Sequence, residues 1–142
     1  MATNRVSLLR GAGLPASDRR ERSAHFQILA RIHRDVVRIC PLGDVDIETV
    51  GPIRERIKEL AAAGEKRLIL DLRGATLFDS AGLHLVLDAD SAARAEGWEF
   101  GLIGGPAHVQ RVFDLTGSRA RLPFLTASQL SALLTAPGDS TA

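Results

Sequence analysis

The segment Leu70-Asp-Leu-Arg-Gly-Ala-Thr-Leu-Phe-Asp-Ser-Ala-Gly-Leu83 decides the fold of this chain. It begins inside the almost continuous apolar run 67–72, which is typical of a central strand buried on both faces. Residues 73–78 are predicted to form a loop, and a helix is predicted from about Ser80 to Glu96, where a glycine ends it. This order of strand, loop and helix predicts one unit of a sheet with parallel strand pairing.

The rest of the chain continues this alternation of strands and helices. The predicted elements are strands at 26–31 and 36–42, a helix that ends at Gly64, a strand at 100–104, a helix from Pro106 to Gly117, a short edge strand at 122–125, and a last helix that begins with the capping box Thr126-Ala-Ser-Gln129. The first two strands are separated by a short turn, so they should form an antiparallel hairpin. The order therefore predicts an α/β fold, with a mixed sheet of four to five strands, an antiparallel N-terminal hairpin and about four helices.

Composition and charge exclude several classes of protein. The chain has 142 residues, of which 45% are hydrophobic and 25% are charged, as expected for one ordinary soluble domain. No stretch approaches the roughly 18 uninterrupted apolar residues that a membrane helix needs, and the start does not resemble a secretory signal. The net charge of +1 argues against a dedicated nucleic-acid binder. Cys40 is the single cysteine, which excludes an internal disulfide and fits a cytoplasmic location.

Both ends of the chain are predicted to lie outside the folded domain. Residues 1–24 show no sustained periodicity and contain five arginines against two acidic residues, so we expect a flexible basic leader. Residues 136–142 contain proline, glycine and small polar residues, so we expect a disordered tail. The folded domain is then predicted to span residues 25–135.

Asp79 and Ser80 lie where the second helix is predicted to begin. The first backbone N–H groups of a helix lack partners within it, and the helix dipole adds partial positive charge there. Ser80 is therefore expected either to cap the helix or to lie just inside it, and capping alone would explain it. A second interpretation is that Ser80 is phosphorylated, because a helix N-terminus tolerates phosphoserine well. Gly82 is unfavourable in a helix by about 1 kcal/mol, which we interpret as room for a partner to approach this turn.

Five motifs occur in a specific order along the chain. They are Gly43-Asp-Val-Asp46, the strand that ends at Leu72, Phe78-Asp-Ser-Ala-Gly-Leu83, Ala93-Arg-Ala-Glu-Gly97 and Val109-Gln-Arg-Val-Phe-Asp-Leu-Thr-Gly117. In this combination they resemble the STAS domain family, and among its members the stand-alone bacterial anti-sigma factor antagonists. The resemblance covers about residues 26–134, which is nearly all of the predicted domain.

The resemblance implies a function in partner switching. Such antagonists bind a kinase-type anti-sigma factor and so free its sigma factor. The kinase uses ATP to phosphorylate the serine of an Asp-Ser-x-Gly-Leu motif, which breaks the complex, and a PP2C-type phosphatase reverses the reaction. On this chain the motif serine is Ser80. The implied partner-binding residues are Asp44, Asp46, Asp79, Ser80, Ala81, Gly82 and His84.

The resemblance also implies what the chain does not need. It should have no catalytic residue, no metal site and no cofactor, since ATP and Mg would belong to the partner kinase. It should act in the cytoplasm as a monomer or weak dimer, without direct contact to nucleic acid and without a membrane span. Two departures from the family pattern are mild: Ala81 stands where Ser or Thr is common, and Asp44 stands where Glu is common.

Other functions are less well supported by the residues. A serine hydrolase of the Gly-x-Ser-x-Gly type would need a glycine where Phe78 stands. A receiver domain would need a lysine late in the sequence, and none follows Lys66. Within the STAS family, a scaffold or subunit of a stressosome or lipid-transport complex, with no sigma-factor role, stays open as the alternative.

Overall fold

Six strands form a mixed sheet in the computed structural model, which describes Asn4–Arg5 and residues 25–135. The strands are β1 (Asn4–Arg5), β2 (Gln27–His33), β3 (Val36–Val45), β4 (Arg67–Asp71), β5 (Ala75–Phe78) and β6 (Glu99–Ile103). Their order is β1-β2-β3-β4-β6, and β5 pairs with the C-terminal end of β3. The β1–β2 and β2–β3 pairs are antiparallel, whereas β3–β4, β3–β5 and β4–β6 are parallel.

The helices of the described residues follow the predicted alternation. They are α1 (Val50–Ala62), α2 (Ser80–Glu96), α3 (Ala107–Thr116) and α4 (Ala127–Thr135), with single 3-10 turns at Leu72–Gly74 and Arg119–Arg121. The capping box at the start of α4 is confirmed, because the amide of Gln129 donates to Thr126 Oγ1 at 3.0 Å and the amide of Thr126 donates to Gln129 Oε1 at 2.8 Å. The predicted α/β fold with an N-terminal antiparallel hairpin is therefore confirmed.

The main core lies between one face of the sheet and helices α1, α2 and α3. Phe113 of α3 is fully buried at its centre, and its ring lies 5.3 Å from that of Phe78 and 5.0 Å from that of Phe124. A smaller cluster on the other face contains Val36, Ile69 and Ile103, with Leu125, Leu130 and Leu133 packed against it. Helix α4 therefore covers part of the second face, while the aromatic contacts tie α3 to the end of β5.

The structure corrects the prediction for the segment after β4. We expected a loop at 73–78, but Leu72–Gly74 forms a 3-10 turn and Ala75–Phe78 forms β5. The backbone amide of Arg73 donates to Asp71 Oδ1 at 3.0 Å, and this bond closes the turn. β5 then continues beyond the end of β4 and pairs with Gly43–Val45 of β3, which extends past the predicted end of that strand. The strand is only four residues long, so it left no clear periodicity in the sequence.

One further prediction is changed in detail, and the predictions for the two ends of the chain lie almost wholly outside the described residues. The expected edge strand at 122–125 is a single parallel bridge between Leu102 and Phe124, with backbone hydrogen bonds from Leu102 to Pro123 and from Leu125 to Leu102. The expected leader at 1–24 and tail at 136–142 lie outside the described residues, apart from Asn4–Arg5. These two residues pair with Ile28 and Gln27 at the edge of the sheet, and nothing in the sequence indicated this pairing.

Candidate functional site

The C-terminal ends of β3 and β5 bring the segments that lead into α1 and α2 together. Val45 pairs with Phe78 in parallel register, so the residues that follow them, Asp46 and Asp79, lie at the same edge of the sheet. Helix α2 begins immediately after Asp79, whereas α1 begins after the turn 46–49. This edge therefore collects residues that the sequence predicted as a partner-binding site.

Asp79, and not Ser80, is the N-cap of α2. Its side chain accepts a hydrogen bond from the amide of Ala81 at 2.9 Å, and its backbone carbonyl accepts from Leu83 at 3.1 Å. Ser80 is the first residue of the helix and is exposed. Of the two positions expected for Ser80, the structure places it just inside the helix, so its hydroxyl is accessible and is not the capping group.

The turn from Asp46 to Thr49 is held by side-chain and backbone hydrogen bonds. Asp46 Oδ1 accepts from the amide of Glu48 at 2.9 Å, and Thr49 Oγ1 accepts from the amide of Asp46 at 3.0 Å. The same hydroxyl donates to the carbonyl of Asp44 at 2.7 Å, and Thr49 is buried. The turn is thus fixed from both sides, with Thr49 as the buried link between the end of β3 and α1.

The electrostatics of this turn are acidic. The pKa of Asp46 is raised above its usual range, mainly by burial and further by the nearby charges of Asp44, Asp79 and Glu48. Because these carboxylates repel one another, a cationic group beside Asp46 would be stabilised.

The residues predicted to bind a partner differ in their exposure. Asp79, Ser80 and His84 are exposed, and Asp46 and Ala81 are half-buried. Asp44 is buried and accepts a hydrogen bond from Thr76 Oγ1 at 2.6 Å, which joins the ends of β3 and β5. Its carboxylate is therefore used inside the fold, and the exposed part of the predicted site is formed by Asp79, Ser80 and His84.

Gly82 is buried for a reason that lies inside the fold. A Cβ atom at this position would lie 2.6 Å from Cε1 and 2.8 Å from Cδ1 of Phe78. The Phe78 ring is itself held against Phe113, so it has little freedom to move away. The first turn of α2 can rest on Phe78 only because Gly82 has no side chain. We had interpreted this glycine as room for a partner, whereas the structure gives it an internal packing role.

Replacing Gly82 with alanine should therefore destabilise the domain although alanine favours helices. Forcing a methyl group against a fixed ring costs about 1–3 kcal/mol, which exceeds the gain in helix propensity of about 1 kcal/mol. Gly51→Ala in the first turn of α1 is the matched control, because an added Cβ there meets no atom within 4 Å and should stabilise. Urea unfolding of both variants measures the difference, and equal stabilisation by both changes would contradict the packing role.

Sequence reasoning missed one exposed residue of this surface. Ile47 lies between Asp46 and Glu48 in the turn and is 70% exposed. A large apolar residue between two acidic residues in a turn is unusual, and this local pattern could have singled it out. Its importance depends on the side chains around it, which only the folded arrangement shows.

Comparison with known proteins agrees with this arrangement. A family model described as "Mlab, STAS domain" matches residues 28–133. "Osmosensory protein A" of Mycobacterium tuberculosis is 29% identical over 86 residues, and the match spans 61% of this chain but only 54% of that protein. The chain thus covers about half the length of this relative.

Several solved structures share the fold. An anti-sigma factor antagonist from Mycobacterium paratuberculosis superposes with a TM-score of 0.66 at 22% identity, covering 77% of this chain and 94% of that one. SpoIIAA in its unphosphorylated form gives a TM-score of 0.61 at 23% identity, with 80% and 99% coverage. Bacillus SpoIIAA in its phosphorylated form gives 0.57 at 23% identity, with 77% and 98% coverage.

The topology and the paired starts of α1 and α2 define a mixed α/β domain that shares its fold with these solved structures. Because the family model matches most of the chain, this protein belongs to the STAS domain family. Among the described residues, no helix is both long and apolar enough to cross a membrane.

Proposed function

We propose that this protein is an anti-sigma factor antagonist that binds a kinase-type anti-sigma factor and is switched off by phosphorylation of Ser80. The observation that carries the proposal is the exposed Ser80 at the first position of α2, next to the acidic turn at Asp46. Membership of the STAS family and the likeness in fold to anti-sigma factor antagonists support it. The chain supplies the surface and the acceptor hydroxyl, while the kinase supplies ATP and Mg.

The position of Ser80 explains how phosphate could act as a switch. A phosphoserine carries about −1.5 to −2 charge and would enter a surface that already holds Asp46 and Asp79. The cap is formed by Asp79, so phosphorylation leaves the start of the helix intact. Inside a close contact with a partner, however, the added charge is desolvated, and the partner's basic groups are already paired with Asp46 and Asp79, so no counter-charge is left for it. Folding is therefore preserved while binding is lost.

A single experiment tests this function. Purified protein is mixed with a kinase-type anti-sigma factor encoded in the same genome, with and without ATP and Mg, and the complex is measured by titration calorimetry and the chain by intact mass. We expect binding without ATP, and release together with one phosphate on Ser80 when ATP is present. A PP2C-type phosphatase should then restore binding. Binding that persists with ATP and leaves the chain unmodified would instead favour a scaffold role.

Asp46→Asn should weaken this binding without weakening the fold. The amide oxygen of asparagine can still accept from the Glu48 amide, and the substitution removes repulsion with Asp44 and Asp79. We therefore expect unchanged or slightly higher stability and about 10-fold weaker binding to the kinase, because a charge facing a cationic partner is lost. Thermal melting and titration on the same sample separate the two effects. A large loss of stability would show that the carboxylate is structural.

A further inference from the structure

Ile47 is an exposed apolar side chain in the acidic turn 46–49. It is 70% exposed, and among the described side chains only Ile32 and Leu115 are large hydrophobic residues with comparable exposure. Ile47 directly follows Asp46, which interacts with Asp79 at the start of α2. When a partner covers an apolar side chain that is exposed to water, the free energy of the system falls.

The backbone around Ile47 is fixed before any partner arrives. The amide of Glu48 donates to Asp46 Oδ1, and the amides of Thr49 and Val50 both donate to the Asp46 carbonyl at 3.0 Å. The buried hydroxyl of Thr49 adds bonds to the Asp46 amide and the Asp44 carbonyl. Ile47 therefore sits at the tip of a turn that is hydrogen-bonded on both sides. Covering a side chain on a preorganised turn requires little loss of backbone entropy.

The charges around Ile47 restrict the chemistry of what can cover it. Asp46 and Glu48 flank Ile47 in the turn, and the exposed Asp79 lies at the same edge of the sheet, where its charge acts on Asp46. A partner surface with acidic residues around its apolar patch would be repelled, whereas one with arginine or lysine at the rim would be attracted. The combination of an apolar centre and a charged rim is the arrangement of energetically dominant residues in protein interfaces.

We infer that Ile47 is the apolar anchor of the partner interface, and that the partner presents an apolar pocket bordered by basic side chains. This inference rests on the proposed function, because the partner is the kinase-type anti-sigma factor. Recognition then has two separate parts. Ile47 contributes affinity that does not depend on charge. The acidic rim, formed by Asp46, Glu48 and Asp79 next to Ser80, contributes the part of the affinity that phosphorylation reverses.

The test compares Ile47→Ala with Ile32→Ala in titration calorimetry against the purified kinase-type anti-sigma factor. Ile32 is 61% exposed and lies at the opposite end of the β2–β3 hairpin from the site, so it controls for the loss of an exposed isoleucine. We expect Ile47→Ala to weaken binding by about 30-fold and Ile32→Ala to leave it within about twofold. Both variants should keep the melting temperature of the natural chain, because both side chains are exposed.

Salt distinguishes the anchor from the rim. Raising the salt to about 0.5 M should leave the loss caused by Ile47→Ala unchanged, while the loss caused by Asp46→Asn should shrink. If the natural chain binds and Ile47→Ala binds equally well, or if Ile32→Ala loses as much affinity, the anchor is overturned and the proposed function stands. If the natural chain does not bind the kinase at all, the proposed function and this inference fall together.

Discussion

Replacing Ser80 with glutamate should strongly weaken binding to the anti-sigma kinase while the domain stays folded. A carboxylate is favourable in the first turn of a helix, and the Asp79 cap is untouched, so stability should be equal or slightly higher. In the complex the same charge would be buried beside Asp46 and Asp79, which repel it and already occupy the basic groups of the partner. We expect affinity to fall about 100-fold or more, which corresponds to about 2.7 kcal/mol.

Ser80→Ala should have the opposite consequences for the switch. It should bind the kinase as well as the natural chain does, but ATP should neither release it nor add phosphate to it. Because Asp79 forms the cap, the substitution should change stability by less than about 0.5 kcal/mol. Had Ser80 been the cap, which was one of the two positions that the sequence left open, the loss would have been about 1 kcal/mol.

Ser91→Glu is the matched control for position on the same helix. Ser91 is exposed on α2 and lies about three turns from the helix start, so the added charge is distant from the proposed contact. It should leave kinase binding unchanged, as measured by titration of all three variants. If Ser80→Glu bound as tightly as Ser80→Ala, Ser80 would not be the switch.

The sequence predicted the larger elements well because their signals are local and repeated. Helix α2 spans 80–96 and ends at Gly97, whose φ of 86° lies in the left-handed region that glycine adopts most easily. β4 was evident because its apolar run suits a strand in the middle of a sheet. β5 was missed because four residues are too few for a period, and because its pairing with the distant Gly43–Val45 is a tertiary property.

The details of the site could not be predicted for the same reason. The two candidate caps of α2, Asp79 and Ser80, are neighbours in the sequence. Which of them caps the helix depends on where β5 ends. The sequence places Asp44 beside Asp46, but its burial follows from a bond to Thr76 on a strand that was not expected. The role of Gly82 depends on the Phe78 ring, which in turn is positioned by Phe113. Each of these facts joins residues that are far apart or belong to different elements.

Asp71→Asn should give a large loss of stability, at a place distant from partner binding. Asp71 is buried at the end of β4 and accepts from Arg38 Nη1 at 2.9 Å and from Arg73 Nη2 at 2.8 Å. The Arg38 side chain is only 12% exposed, so removing the carboxylate charge leaves a nearly buried guanidinium without its ionic partner. Breaking a buried pair in this way costs about 3–5 kcal/mol, a large part of the usual 5–15 kcal/mol total.

Asp88→Asn provides the matched control for this loss. Asp88 pairs with Arg54 at 2.8 Å between α1 and α2, but its side chain is 63% exposed. An ion pair in that setting contributes about 0–1 kcal/mol, so the control should unfold at nearly the same urea concentration as the natural chain. Equal effects of the two substitutions would show that burial of the Asp71 pair contributes nothing.

The pH dependence of stability should identify the charge of Asp71 as the cause. Burial alone would raise its pKa, but hydrogen bonds from Arg73 and Arg38 outweigh burial and hold the pKa below its usual range. The stabilisation by Asp71 is therefore complete above about pH 4, the usual aspartate pKa, and disappears as the pH falls through the lower folded value of this pKa.

Asp46, whose pKa is raised, changes stability with pH in the opposite direction, but it does so equally in the natural chain and in Asp71→Asn. The difference in unfolding free energy between the natural chain and Asp71→Asn should thus be constant from pH 7 to about pH 5 and shrink below about pH 4. A difference that stayed constant down to the acid limit would mean that asparagine disturbs packing, and that the charge of Asp71 does not stabilise the fold.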